Sequence, residues 1–188
     1  MTLAGAVLAG GRGGRMAPDP KPAAVLAGRP LIARPLAALA SVCDPVAVVC
    51  KRDTPLPPLP DGVERWQEPD EPRHPLTGIV YALERAGGPV LVCAADMPFV
   101  DDVACRALID AFEVGGRCVV AEADGRLQPV LGVYDSEALD ALRAAPADAA
   151  LTATVEALSP VLVSFAAAVV ASVDTPEDLA AAEAALSA

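Results

Sequence analysis

The sequence predicts an α/β domain with a mostly parallel central sheet and helices on both faces. Three observations carry this. Short continuous apolar runs at Ala4–Leu8, Val46–Cys50 and Val90–Ala94 alternate with stretches of helical periodicity, the pattern of strand–helix–strand units around a buried sheet. Two of those runs end abruptly, one in four closely spaced glycines and one in Asp96. A chain of 188 residues with 54 % hydrophobic content is long and apolar enough to bury a substantial core, so residues 1–188 are expected to form one domain.

Ala4–Leu8 reads as the first strand. Beyond the glycine loop, Leu31, Ile32, Leu36, Leu39 and Ala40 fall near helical spacing. They predict a helix from Arg29 to Val42, with Pro30 at its first position and Asp44-Pro45 as its stop. Val46–Cys50 is a buried strand. Residues 53–62 hold four prolines and a glycine and predict a stiff surface connection. Val63–Gln67 is a strand around the single tryptophan, Trp66, and an acidic, proline-rich loop follows.

A helix is expected from Leu76 to about Ala86, closed by Gly87-Gly88. Val90–Ala94 is a strand, and Asp101-Asp102 start a helix running to about Phe112. Cys118–Glu122, Gln128–Tyr134 and Pro160–Phe165 are further strands, and Ser136–Ala144 and Ala150–Leu158 are helices. The last helix, to about Leu186, begins with Thr175 as cap, Pro176 at the first position and two acids after it.

Composition excludes several function classes. The aromatic fraction is 3 %, so the core must be built from Ala, Val and Leu. The five cysteines show no C-x-x-C spacing, are odd in number and sit mostly in or beside apolar runs. They read as small hydrophobes in a reducing cytoplasm, not as a disulfide framework or zinc site. No signal peptide and no membrane span is expected, since the longest apolar run, Val161–Val173, is broken by Ser164 and Ser172. The net charge of −11 argues against nucleic-acid binding. The charge is uneven, however. Residues 12–34 carry five basic residues against one acid, which leaves −15 on the rest of the chain. A positive island in an acidic protein suits a small anionic ligand.

That island contains the loop Leu8-Ala9-Gly10-Gly11-Arg12-Gly13-Gly14-Arg15-Met16, with Lys21 beyond it. Glycine permits positive φ and close backbone approach to a ligand. Successive N–H groups in such a turn form an anion-binding concavity, and arginines add charge-assisted contacts to phosphate oxygens. The spacing matches neither G-x-G-x-x-G nor the P-loop, which ends in Gly-Lys-Ser/Thr. Asp96 directly follows a buried strand and should project to the same sheet edge as the glycine loop, where ligands of open α/β sheets lie. A carboxylate beside a phosphate cradle suits Mg²⁺, which takes one or two carboxylates plus phosphate oxygens. Alternatively, Asp96 caps the turn that follows it.

The loop from Leu8 to Met16, Pro20-Lys21-Pro22, Gly28–Leu31, Pro75–Gly78, Ala94–Phe99 and Val173–Leu179 together resemble the molybdenum cofactor guanylyltransferase family, in the family's order and across nearly the whole chain. The resemblance implies a Rossmann-like nucleotidyltransferase fold. It implies that Leu8, Ala9, Gly10 and Gly11 touch base and ribose, and that Gly13, Gly14 and Arg15 wrap the outer phosphates. Lys21 would contact phosphate near the reacting centre. Asp70 and Gly78 would bind the nucleoside, Asp70 being equally readable as a solvated loop acid. Asp96 would hold Mg²⁺. The implied partners are GTP and a molybdopterin-type phosphorylated acceptor, with transient molybdoenzyme or cofactor-delivery partners.

The implied reaction is in-line attack of the acceptor phosphate on the α-phosphorus, with pyrophosphate leaving. Positioning and charge neutralisation carry such a step, and an ionised phosphate needs no general base. The single histidine, His74, is accordingly structural or a substrate-loop contact. Where the family has an N-x-N-T-P pattern, this chain has Ser172-Val173-Asp174-Thr175-Pro176, so Asp174 either assists the metal or pre-caps the last helix. Gly10 favours guanine by resemblance. Gln128-Pro129 lies where the family contacts the pterin, with only Arg126 as a nearby base. Two alternatives stay open: a cytidylyl or sugar-1-phosphate nucleotidyltransferase, and a non-catalytic nucleotide-binding accessory protein.

Overall fold

Alternation of apolar runs with amphipathic stretches becomes a layered sheet. The computed structural model describes residues 3–11, 21–146 and 149–187. Among these, the strands are β1 (Ala4–Leu8), β2 (Val25–Leu26), β3 (Arg29–Pro30), β4 (Val46–Cys50), β5 (Val63–Gln67), β6 (Val90–Ala94), β7 (Cys118–Ala123), β8 (Arg126–Tyr134) and β9 (Val161–Ser164). The helices are α1 (Ala33–Ala40), α2 (Pro75–Ala86), α3 (Asp102–Glu113), α4 (Leu139–Ala144), α5 (Leu151–Glu156) and α6 (Pro176–Leu186). Seven strands form one sheet in the order β5-β4-β1-β6-β8-β7-β9. Every pairing in it is parallel except those of β8, which runs antiparallel to both neighbours.

Each face of the sheet has its own core. On one, Leu36 and Leu39 of α1 and Cys105 and Leu108 of α3 meet Val7, Val48, Leu91 and Val133. On the other, Ile79 and Leu83 of α2, Leu142 of α4 and Val155 of α5 meet Ala6, Val49, Val92 and Tyr134. Each Val or Leu so buried contributes about 1.5–3 kcal/mol, which is how a chain nearly free of aromatics still holds a sheet together. All five cysteines are free and buried, and burial pushes the Cys43, Cys105 and Cys118 thiols up to about 12. They stay protonated and act as small hydrophobes. No helix of the described residues is long and apolar enough to cross a membrane.

Helix ends follow local chemistry. The Asp101 carboxylate accepts from Ala104 N at 2.8 Å and starts α3. Gly87, in the left-handed conformation, ends α2. Thr175 and Asp178 form a reciprocal capping box at the start of α6. Its backbone N–H bonds hold the Asp178 carboxyl below its usual range.

One local expectation is corrected. Residues 29–30 do not open a helix. Ala27 and Gly28 both have positive φ (49° and 76°), the geometry of a two-residue hairpin turn, so β2 and β3 pair antiparallel with Val25 opposite Pro30. The helix starts only at Ala33 and ends at Ala40, short of Val42. This small hairpin shelters Leu26 and Leu31 against Val173 and Ala182 near α6. A second tight turn, Asp124-Gly125, also takes positive φ at both positions (51° and 74°). That turn folds β8 back against β7 and places an antiparallel strand inside the sheet.

Candidate active site

The chain order reverses across β1. From β1 the chain crosses to β4 and β5 on one side, then returns through α2 to β6 on the other. A crevice at the carboxyl ends of β1 and β6 is the expected ligand position in such a sheet. The two exit loops are locked there: Ala9 N donates to Val49 O at 2.8 Å, and Ala95 N donates to Leu8 O at 3.0 Å. The crevice is a cleft of about 260 Å³. Leu8, Gly10 and Gly11 from the first loop, Ala94, Asp96 and Met97 after β6, and Gly78 of α2 all line it.

One end of the cleft is charged and dry. Glu68, the first residue after β5, is 4 % exposed and its neighbour Lys51, the first after β4, is 1 % exposed. The Lys51 Nζ lies 3.3 Å from Glu68 Oε2 and donates to the carbonyls of Pro69 (2.6 Å) and Pro72 (3.1 Å). Apart from that ion pair, Glu68 Oε2 is buried with no hydrogen-bond partner among the described residues. The carboxylate lies between two glycines. A Cβ on Gly10 would collide with Glu68 Oε1, and one on Gly78 would sit 3.5 Å from Oε2 and 3.3 Å from Leu8. Burial pushes the Glu68 carboxyl up, against the opposing pull of the Lys51 and Arg73 charges.

The loop carrying Glu68 is fastened further. Arg52 pairs with Asp70 (3.4 Å), and Arg73 pairs with Asp53 (2.7 Å) and Glu71 (3.6 Å). The Arg73 hydrogen bond holds the Asp53 carboxyl below its usual range. His74 caps α2: its Nδ1 accepts from Leu76 N at 3.2 Å. That bond fixes the neutral tautomer with hydrogen on Nε2, on a ring that also lines the cleft. Both sequence readings of His74 are therefore compatible with its place.

The far wall comes from β8 and the segment before α6. The β7–β8 register shifts between Val120, opposite Gly132, and Ala121, opposite Gln128. Such a bulge re-aims side chains and accommodates Pro129, which has no N–H to donate. The buried Tyr134 hydroxyl donates to Pro129 O at 2.6 Å and fixes the kink. Gln128 and Val130 line the cleft, with Val170 and Ser172 beside them. Val173 N donates to Asp96 O at 2.8 Å, tying the segment preceding α6 to the Asp96 turn. Asp174 follows directly. Its Oδ2 accepts from Ser172 Oγ at 2.9 Å, and its N–H donates to Asp178 at 3.0 Å.

The structure thus brings Leu8, Gly10, Gly11, Gly78 and Asp96 around one cleft. Ala9 is buried beside it, its N–H taken by Val49. Asp70 does not line the cleft; its carboxylate pairs with Arg52. Arg12, Gly13, Gly14 and Arg15 lie outside the described residues. Lys21 begins a short 3₁₀ turn, Lys21–Ala23, and its side chain lies outside the described atoms. Glu68 is the residue that the motif reading missed. A looser form of the rule that singled out Asp96, a carboxylate at the carboxyl end of a strand, also picks out Glu68 after β5, although β5 is largely exposed.

The sequence and the fold both have counterparts among known proteins. The MobA-like NTP transferase domain matches residues 5–161. The chain belongs to the MobA-like NTP transferase family. Within it, the chain is similar to the molybdenum cofactor guanylyltransferase of Cereibacter sphaeroides, with 35 % identity over 144 residues, 71 % of this chain and 69 % of that one. Among solved structures it is similar to molybdopterin-guanine dinucleotide biosynthesis protein A from Archaeoglobus fulgidus, at TM-score 0.75 and 23 % identity, covering 98 % of this chain and 99 % of that one. It is also similar to 2-C-methyl-D-erythritol 4-phosphate cytidylyltransferase from Thermus thermophilus, at TM-score 0.73 and 21 % identity, covering 100 % of both. At those identities the two structures speak for the fold alone. As a member of the MobA-like NTP transferase family, the chain is a nucleotidyltransferase with a Rossmann-like sheet.

Proposed function

We propose that this protein transfers GMP from GTP to the terminal phosphate of molybdopterin, releasing pyrophosphate, with Mg²⁺ as cofactor. The observation that carries the guanine reading is the Glu68 carboxylate, buried between Gly10 and Gly78 at one end of the cleft. An ionised carboxylate is acceptor-only. Guanine offers two adjacent donors, N1–H and N2–H, on its pairing edge and can satisfy both oxygens. Cytosine offers one donor beside two acceptors, which the carboxylate would repel. The 35 % identity to a guanylyltransferase supports the same choice.

The donor set fits Mg²⁺. Asp96 lines the cleft, and Asp174 stands one residue beyond the bond that ties its segment to Asp96. One or two carboxylates completed by phosphate oxygens is a normal site for this hard ion. The chemistry Mg²⁺ supplies when bound is neutralisation of charge on the transferred and leaving phosphoryl oxygens. This chain's residues do the rest. Glu68 and the backbone at Gly10 and Gly11 orient the nucleoside, and Gly13, Gly14, Arg15 and Lys21 are assigned to the outer phosphates. The acceptor phosphate, already ionised, forms the new bond to the α-phosphorus as the bond to the β-phosphate oxygen breaks, and pyrophosphate carries away the electron pair. Gln128 and Ser172 line the side left for the acceptor.

A binding screen of GTP, CTP, ATP and UTP with Mg²⁺ present tests the reading. GTP is expected to bind at least about tenfold more tightly than the other three, because only guanine satisfies both carboxylate oxygens. Preference for CTP would overturn the guanine assignment and favour a cytidylyl activity on the same scaffold.

A further inference from the structure

Glu68 sits in a place hostile to charge, and only a few groups oppose that. Among the described residues, the charged or titratable groups acting on it are Lys51 at the end of β4, Arg73 on its own loop and the Cys50 thiol, which remains protonated. Arg73 is committed to Asp53 and Glu71. Lys51 is the one in direct contact, and it is one of only two lysines in a chain with twelve arginines. It makes three contacts at once, to the Glu68 carboxylate and to the carbonyls of Pro69 and Pro72. A compact ammonium with three donors suits that arrangement, whereas a planar guanidinium does not.

We propose that Lys51 is the specificity-determining positioning residue of the nucleobase end of the cleft, keeping Glu68 ionised and aimed between Gly10 and Gly78. Lys51 touches no substrate: the nucleotide meets Glu68, and Lys51 acts through it. Its bonds to Pro69 and Pro72 fix where the Glu68 main chain turns, and its charge fixes which form of the carboxyl the base meets. The distinction has a chemical consequence. An ionised carboxylate accepts two hydrogen bonds and matches guanine. A protonated carboxyl presents one donor and one acceptor, which matches the donor–acceptor edge of cytosine or adenine. Without Lys51, a carboxyl this deeply buried favours the protonated form. The lysine therefore selects the base while remaining out of its reach.

This inference rests on the guanine reading of the cleft, and the test separates the two. Dissociation constants for GTP, ITP and CTP are measured with Mg²⁺ for the wild type, Lys51→Met and Lys51→Arg, with melting temperatures recorded for each. ITP lacks only the 2-amino donor. The wild type is expected to prefer GTP to ITP by about tenfold or more. Lys51→Met should compress that preference to within about threefold, with CTP gaining relative to GTP. Raising the pH should partly restore GTP binding in this variant, as the carboxyl ionises. Lys51→Arg should fall between the two, since it keeps the charge and loses the three-point fit. If Lys51→Met does not fold, Lys51→Arg alone decides. A wild type that ignores the 2-amino group would defeat the guanine reading itself. A selective wild type with an unchanged GTP-to-ITP ratio in the folded variants would overturn the role of Lys51 alone.

Discussion

The loops after β1 and after β5 meet in one cleft and are built on opposite principles. Among its described residues the first contributes almost no side chain: Leu8, Gly10 and Gly11 offer the cleft an aliphatic edge and bare backbone. The second is dense with charge, and residues 51–53 fasten it through Lys51 to Glu68, Arg52 to Asp70 and Asp53 to Arg73. Backbone can approach a triphosphate closely and offers every nucleotide the same N–H groups. A fixed carboxylate discriminates between bases. The two loops are also fitted to each other, because Gly10 has no Cβ where Glu68 needs the space. In the proposed function, affinity and selectivity thus fall to different strands of one sheet edge.

Substitutions can break or sharpen this contrast. The largest effect is expected at Asp96, the proposed metal ligand that follows β6. Asp96→Asn should lower kcat by about a thousandfold and leave the melting temperature nearly unchanged, which single-turnover kinetics and thermal melts would check. Next comes the point where the loops touch. Gly10→Ala should weaken GTP binding by about tenfold or more, since overpacking must displace either the loop or the Glu68 carboxylate; calorimetry reads this directly. Equal binding of GTP by Gly10→Ala would mean the two loops are independent.

Smaller effects belong to the charged loop's periphery. His74→Ala removes the cap of α2 and should cost about 1 kcal/mol, visible as a melting temperature lower by about 2–4 °C. Asp70→Ala removes an exposed pair with Arg52, worth about 1 kcal/mol or less. GTP affinity in that variant should stay within about twofold of wild type. A large loss would return Asp70 to the nucleoside and weaken the contrast.

Much of this was legible in the residues. Continuous apolar runs located the strands that pair in parallel, and caps at Asp101 and Thr175 located helix starts, because both signals are local. The β2–β3 hairpin was not legible as such. Pro30 also suits the first position of a helix, and Ala27 at positive φ breaks the usual preference for glycine or asparagine. The antiparallel course of β8 had a readable cue in Asp124-Gly125, a dipeptide that favours tight hairpins. Asp96 was legible because it ends a buried strand within a motif. Glu68 follows a strand too, but β5 carries Glu64, Arg65 and Gln67 beside only two apolar residues, and the acids at 70 and 71 in the same loop compete for notice. Its role depends on burial against Lys51, seventeen residues earlier in the chain. Such a pairing exists only once β4 and β5 lie side by side.

The most direct test of the central claim is pyrophosphate release with molybdopterin as acceptor, comparing GTP with CTP in the presence and absence of Mg²⁺. Release with GTP that requires both the acceptor and Mg²⁺, and little release with CTP, is the predicted result. Release with CTP in preference to GTP, or tight GTP binding with no release, would contradict it.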